Sequence, residues 1–102
     1  MSVTKKYLKT KSICKVTFRL PKEAAASAKS VHLVGEFNDW DAEATPMQRL
    51  KNGSFKVMVD LEKDNEYQYR YLLEGCTWEN DWDADKYVPS EFSGIENSVV
   101  VV

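Results

Sequence analysis

Between Thr77 and Tyr87 the chain reads TWENDWDADKY, and most of its candidate chemistry is gathered there: Glu79, Asp81, Asp83 and Asp85 alternate with Trp78 and Trp82. Acids at this density suggest either a calcium loop or an acid/base pair. An EF-hand loop counted from Asp81 needs glycine at its sixth position and glutamate at its twelfth, where Lys86 and Phe92 stand. Glu79 and Asp81 as glycosidase carboxylates would need a rigid cleft that one loop on a small domain does not readily supply. His32 is the lone histidine, and Cys14 and Cys76 are scattered, so no zinc spacing arises. The four glycines lie among turns and form no phosphate loop. No metal, cofactor or catalytic activity is expected.

The aromatic residues remain to be explained. Trp40 falls in GEFNDWDAEATP, where Asn38, Asp39 and Pro46 mark a loop, and Trp78 and Trp82 flank a second loop. An indole on a loop either plugs one end of a core or stands exposed as a platform. None of the three tryptophans belongs to an alternating strand pattern, which favours the platform. A flat aromatic face suits the apolar C–H face of a pyranose ring, with polar side chains reaching the hydroxyls at its edge.

The elements that must position these rings are strands. In SICKVTFRL, Cys14, Val16, Phe18 and Leu20 share one face, and Pro21 stops the run. KEAAASAKS reads as a linker or one short helical turn. SVHLVGEF is the next strand, and MQRLKNGSFKVMVDL is a hairpin about Asn52-Gly53, a pair that tolerates positive φ. EYQYRYLLEG sets Tyr67, Tyr69, Tyr71 and Leu73 against Gln68, Arg70 and Leu72; Glu74-Gly75 turns the chain, and NSVVVV closes it. About seven short strands with regular turn signals predict an all-β, immunoglobulin-like antiparallel β-sandwich.

At 102 residues the chain is one domain, with a basic N-terminal arm over residues 1–11 and the sandwich over 12–102. Lys5, Lys6, Lys9, Lys11, Lys15, Arg19 and Lys22 all precede the first acid, Glu23. That arm is either a dock for an acidic partner or a solvated, partly frayed terminus, and the second reading is preferred. A net charge of -2 argues against a nucleic-acid partner, and no apolar run is long enough to cross a bilayer. MSVTKKYLKTKS lacks the apolar segment of a signal peptide, so a cytoplasmic location with reduced thiols is expected.

VHLVGEFNDW, a polar loop and hairpin, EYQYRYLLEG, a nearby tryptophan and a closing NSVVVV together resemble the family-48 carbohydrate-binding modules. These are the early-set domains of isoamylases and glycogen branching enzymes, and they include the glycogen-binding domain of the AMP-activated protein kinase beta subunit. The resemblance covers residues 12–102, and its most specific part is the G-x-F-N-x-W stretch. It implies a sugar platform built from Trp40, Arg70, Trp78 and Asn97, with Trp82 as a further candidate. Arg70 stands where the kinase-type domains have lysine, and ENDWDADKY replaces their Asp-Pro loop. Phe92 or Ile95 is the candidate counterpart of the leucine that threads into bound glucan. The resemblance implies a free-standing, non-catalytic module for α-1,4-glucan such as glycogen or maltooligosaccharide, since 102 residues are far below the roughly 250 of a catalytic barrel. The alternative is a protein-interaction sandwich, an accessory to a glycogen-metabolising enzyme, that does not itself bind glucan.

Overall fold

Alternation sets the first sheet. In a computed structural model of the protein, which describes residues 3–25, 28–90 and 95–102, Cys14, Val16, Phe18 and Leu20 are fully buried, while Lys15, Thr17 and Arg19 point the other way. The strands are β1 (Val3–Tyr7), β2 (Ile13–Leu20), β3 (Val31–Gly35), β4 (Gln48–Arg49), β5 (Phe55–Glu62), β6 (Glu66–Leu73), β7 (Thr77–Glu79), β8 (Lys86–Pro89) and β9 (Glu96–Val101). One sheet runs β1-β2-β5-β4 and the other β3-β6-β9-β8, with β7 also paired to β6. Every pairing is antiparallel. Two facing antiparallel sheets give the expected all-β sandwich. Among the described residues the strands number nine rather than about seven, the N-terminal β1 being one that was not expected.

The inner faces meet through aromatic contacts. Phe18 of the first sheet packs edge-on against Tyr69 of the second at 5.0 Å between ring centroids, and Tyr69 packs against Tyr71 at 5.9 Å. Tyr69, Tyr71, Leu33 and Val100 are fully buried, and Phe55 nearly so. The alanine-rich stretch makes one helical turn, α1 (Lys22–Ala25), whose Ala24 and Ala25 are buried against the same core. Among the described residues no helix is long and apolar enough to cross a membrane.

Two local differences from the sequence expectation have physical causes. Residues 3–7 of the expected arm are a strand: β1 pairs with Cys14–Phe18 along the edge of β2 that β5 leaves open, and Val3 is buried. Lys5 is tied to Asp85 at 2.7 Å, so this part of the basic terminus is held against the second sheet's loops. At Asn52-Gly53 only Gly53 has positive φ, +89°. Leu50 N–H donates to Ser54 O at 2.7 Å and Gly53 N–H to Leu50 O at 3.0 Å, the pattern of a three-residue loop rather than a two-residue one. Asn52 Oδ1 accepts from Ser54 N–H at 3.0 Å, a local side-chain turn that supports the longer loop.

Candidate functional site

Where β3 leaves the second sheet, the backbone is forced into one path. A Cβ at Gly35 would lie 2.6 Å from the Gln68 carbonyl oxygen, so only glycine allows this close crossing of β6. A 3-10 turn, Glu36–Asn38, follows. Asn38 clamps it, accepting from Gly35 N–H at 3.1 Å and donating to Leu33 O at 2.9 Å and to Thr45 Oγ1 at 3.0 Å. Trp40 N–H then donates to Gly35 O at 2.8 Å. Asp39 and Trp40 both have φ of +57°. Left-handed backbone at a residue as bulky as tryptophan is uncommon and costs energy, and such strain gathers at functional sites. The clamped turn holds Trp40 in that conformation, 40% exposed.

Trp78 arrives from the opposite side. Glu74 and Gly75 take φ of +52° and +73°, turning β6 back into β7, and the pairing sets Trp78 opposite Leu72. Trp78 is 45% exposed, and the Arg70 guanidinium carbon lies 5.6 Å from the centre of its ring. Burial lowers the Arg70 pKa from its ordinary value, and the nearby Glu79 carboxylate partly opposes that shift. The group keeps its charge, since a guanidinium is not deprotonated in proteins. The buried Arg70 Nε has no hydrogen-bond partner among the described residues. Asn97, mostly buried, donates from Nδ2 to Gln68 Oε1 at 3.0 Å.

These side chains line one open cleft of about 830 Å³ on the outer face of the second sheet, with Glu36, Gln68, Pro89, Ser90 and Ile95 completing the wall. The same outer face carries an apolar layer. Val34, Leu72 and Val99 are buried although they do not belong to the central core cluster. Register places Arg70 opposite Val34, Trp78 opposite Leu72 and Lys86 opposite Val99. Trp78 is therefore neither a plug nor a fully free ring: it stands beside a buried leucine and still offers part of its ring to solvent.

The acidic loop is fastened from below by one carboxylate. Asp81 is 2% exposed; its Oδ2 accepts from the Tyr69 hydroxyl at 2.7 Å and the Tyr71 hydroxyl at 3.3 Å, and its Oδ1 from Asp83 N–H at 3.0 Å. Its own N–H donates to Ser98 Oγ at 2.9 Å, and its carbonyl oxygen accepts from the Tyr87 hydroxyl at 2.5 Å. Burial drives both core tyrosines well above the ordinary phenol pKa. The Asp81 carboxylate adds to this at both, after the Tyr71 hydroxyl in the case of Tyr69. Among the described residues no group of histidine, cysteine or acidic side chains is arranged to hold a metal ion.

Residues 14–93 match the family model of carbohydrate-binding module 48, the isoamylase N-terminal domain. The chain belongs to that family. It is also 41% identical over 46 residues to the 1,4-alpha-glucan branching enzyme of Photobacterium profundum, a stretch covering 44% of this chain and 6% of the enzyme. It is 38% identical over 58 residues to the branching enzyme of Aquifex aeolicus, covering 56% of this chain and 9% of the enzyme. The match therefore spans less than a tenth of either relative's length.

In this family-48 module the cleft brings together Trp40, Arg70, Trp78 and Asn97, the residues to which the resemblance pointed. Trp82 does not line it. That indole is 58% exposed and donates from Nε1 to Glu79 Oε1 at 3.4 Å, so it is not packed beneath the platform. Ile95 lines the cleft, whereas Phe92 lies outside the described residues. Glu36, Gln68 and the anchoring role of Asp81 were not identified from sequence. A signal existed for Asp81: two inward-facing tyrosines require acceptors for their hydroxyls.

Proposed function

We infer that the cleft binds α-1,4-glucan without catalysis, the chemistry of glycogen and maltooligosaccharides. The observation that carries this reading is the convergence of two half-exposed indoles, Trp40 and Trp78, with Arg70 and Asn97 in one open cleft on a carbohydrate-binding-module chain. Each indole stacks on the apolar face of a glucose, while Arg70 and Asn97 meet hydroxyls. Ile95 takes the place of the threading leucine, and Trp82 extends the platform beyond Glu79. Two stacking contacts of roughly 1–2 kcal/mol each, with a few hydrogen bonds and less the cost of association, suggest a Kd of roughly 10 µM to 1 mM. Calorimetry or tryptophan fluorescence with maltoheptaose and β-cyclodextrin tests this. Saturable binding is expected, with cello-oligosaccharides inert because their straight β-1,4 chain presents successive glucose faces differently from the curling α-1,4 chain.

A second reading draws on the branching-enzyme relatives: a module that assists such an enzyme on glucan without holding sugar itself. It predicts no glucan affinity in the isolated chain and a change in branching rate when the chain is added to that enzyme.

A further inference from the structure

One charged side chain of the cleft, Glu36, takes no part in the sugar contacts assigned above. Its Oε1 accepts the backbone N–H of Gln68 at 2.6 Å, which fixes the carboxylate at the point where β3 diverges from β6. The clamped turn that carries it also carries Trp40, so carboxylate and indole share one rigid support. The second carboxylate oxygen makes no hydrogen bond to a described residue. Next to it, the Asn97 amide uses Nδ2 on Gln68 Oε1, leaving Asn97 Oδ1 to accept and Gln68 Nε2 to donate. The wall thus offers the acceptors Glu36 and Asn97 alongside the donors Gln68 and Arg70. Neighbouring glucose hydroxyls both donate and accept, so an uncharged polyol satisfies such a mixed wall.

The surrounding charge points the same way. Asp39 and Asp41 flank Trp40, Glu79 follows Trp78, and Glu96 precedes Asn97. Among the lining residues the cation is Arg70, and Glu79 already acts on it. An anionic group entering the cleft meets the Glu36 carboxylate in its wall, and the Glu79 carboxylate acts on the cation there; charges within the ~8 Å screening length of physiological salt are felt.

We propose that Glu36 is a specificity-determining residue: its carboxylate accepts glucose hydroxyls and, with Glu79 offsetting the charge of Arg70, turns away phosphorylated glucan. This rests on the glucan reading above, and the test keeps the two separable. Glu36→Gln retains an oxygen that can accept the Gln68 N–H but removes the charge. Calorimetry compares maltoheptaose with maltoheptaose bearing a 6-phosphate on both proteins, at low and high salt, beside thermal melts. The variant is expected to lose about three- to tenfold in affinity for maltoheptaose while its Tm moves by no more than about 2 °C. Wild type is expected to prefer the neutral sugar by about tenfold or more at low salt, and the variant by no more than about threefold.

An unchanged affinity and preference ratio in Glu36→Gln overturns the proposal. So does a parallel loss of stability and of affinity for both sugars, which is what a purely structural role in capping Gln68 would produce. Wild type binding both sugars equally overturns this inference and leaves the glucan reading standing. Wild type ignoring every glucan overturns both.

Discussion

On the outward side of the first sheet stand Lys6, Lys15, Thr17, Arg19, Lys56 and Met58, with Lys15 and Asp60 3.4 Å apart. On the outward side of the second stand Val34, Leu72 and Val99, all buried. Strand alternation alone would leave both faces to water. The second face departs from that rule: its three buried residues have the large side chains Arg70, Trp78 and Lys86 as cross-strand neighbours, and the last of these is held to Glu66 at 2.5 Å. The comparison shows that half-exposure of an indole does not by itself separate a structural ring from a binding ring. Trp78 neighbours a buried leucine and is still 45% exposed, whereas on the first face Met58 is 60% exposed.

The sharpest way to break the second face is to cut its fastening. Asp81→Ala leaves the buried Tyr69 and Tyr71 hydroxyls without an acceptor and should cost about 2–5 kcal/mol. Thermal denaturation should show a fall of roughly 10 °C or more for a domain of this size. If the loop 79–85 were an ordinary solvated acid run, the melt would hardly move.

Alkaline pH attacks the same fastening more gradually. Below pH 10 Tyr69 and Tyr71 hold their protons in both folded and unfolded chains. Above it the unfolded chain releases protons that the folded one keeps, because the folded pKa values are raised. Stability therefore falls with rising pH, by about 1.4 kcal/mol per pH unit for each tyrosine. Denaturant melts between pH 9 and 11.5 check the slope, which Tyr71→Phe should reduce by about one tyrosine's share.

Single substitutions then set the faces against each other. Trp78→Ala removes the neighbour of Leu72 and the proposed sugar contact. It should weaken maltoheptaose binding about tenfold while costing only about 1–2 kcal/mol, well short of the 3–5 expected for a true core tryptophan. Met58→Lys on the opposite face should stay within about 0.5 kcal/mol and leave binding unchanged. Calorimetry and melts on both variants report these outcomes, and a binding loss in Met58→Lys would move the site to the wrong sheet.

Much of this was legible from pattern. Alternation in ICKVTFRL and YQYRYLL fixed which side chains turn inward, and GEFNDW marked the loop that carries Trp40. VTKKY was harder to read, because two adjacent lysines hide the short alternation that the free edge of β2 recruits into β1. Trp78 and Trp82 look alike in sequence, both being indoles among acids; only the pairing of residues 77–79 onto β6 puts one in the cleft and leaves the other outside its lining. In sequence Asp81 could be weighed only as a calcium ligand or a catalytic carboxylate; its role as acceptor for Tyr69 and Tyr71 appears when the fold brings them together. Glu36, in the turn after β3, and Gln68, within β6, are ordinary polar residues in sequence, and the crossing at Gly35 brings them together in the cleft.

The claim that the second sheet's outer face holds glucan is tested most directly by an NMR titration with maltoheptaose that follows the indole N–H signals and the Met58 methyl. The Trp40 and Trp78 signals are expected to move together and saturate with one Kd, while Met58 stays fixed. Stationary Trp40 and Trp78 signals at millimolar sugar, or a shift confined to the Met58 face, would contradict it.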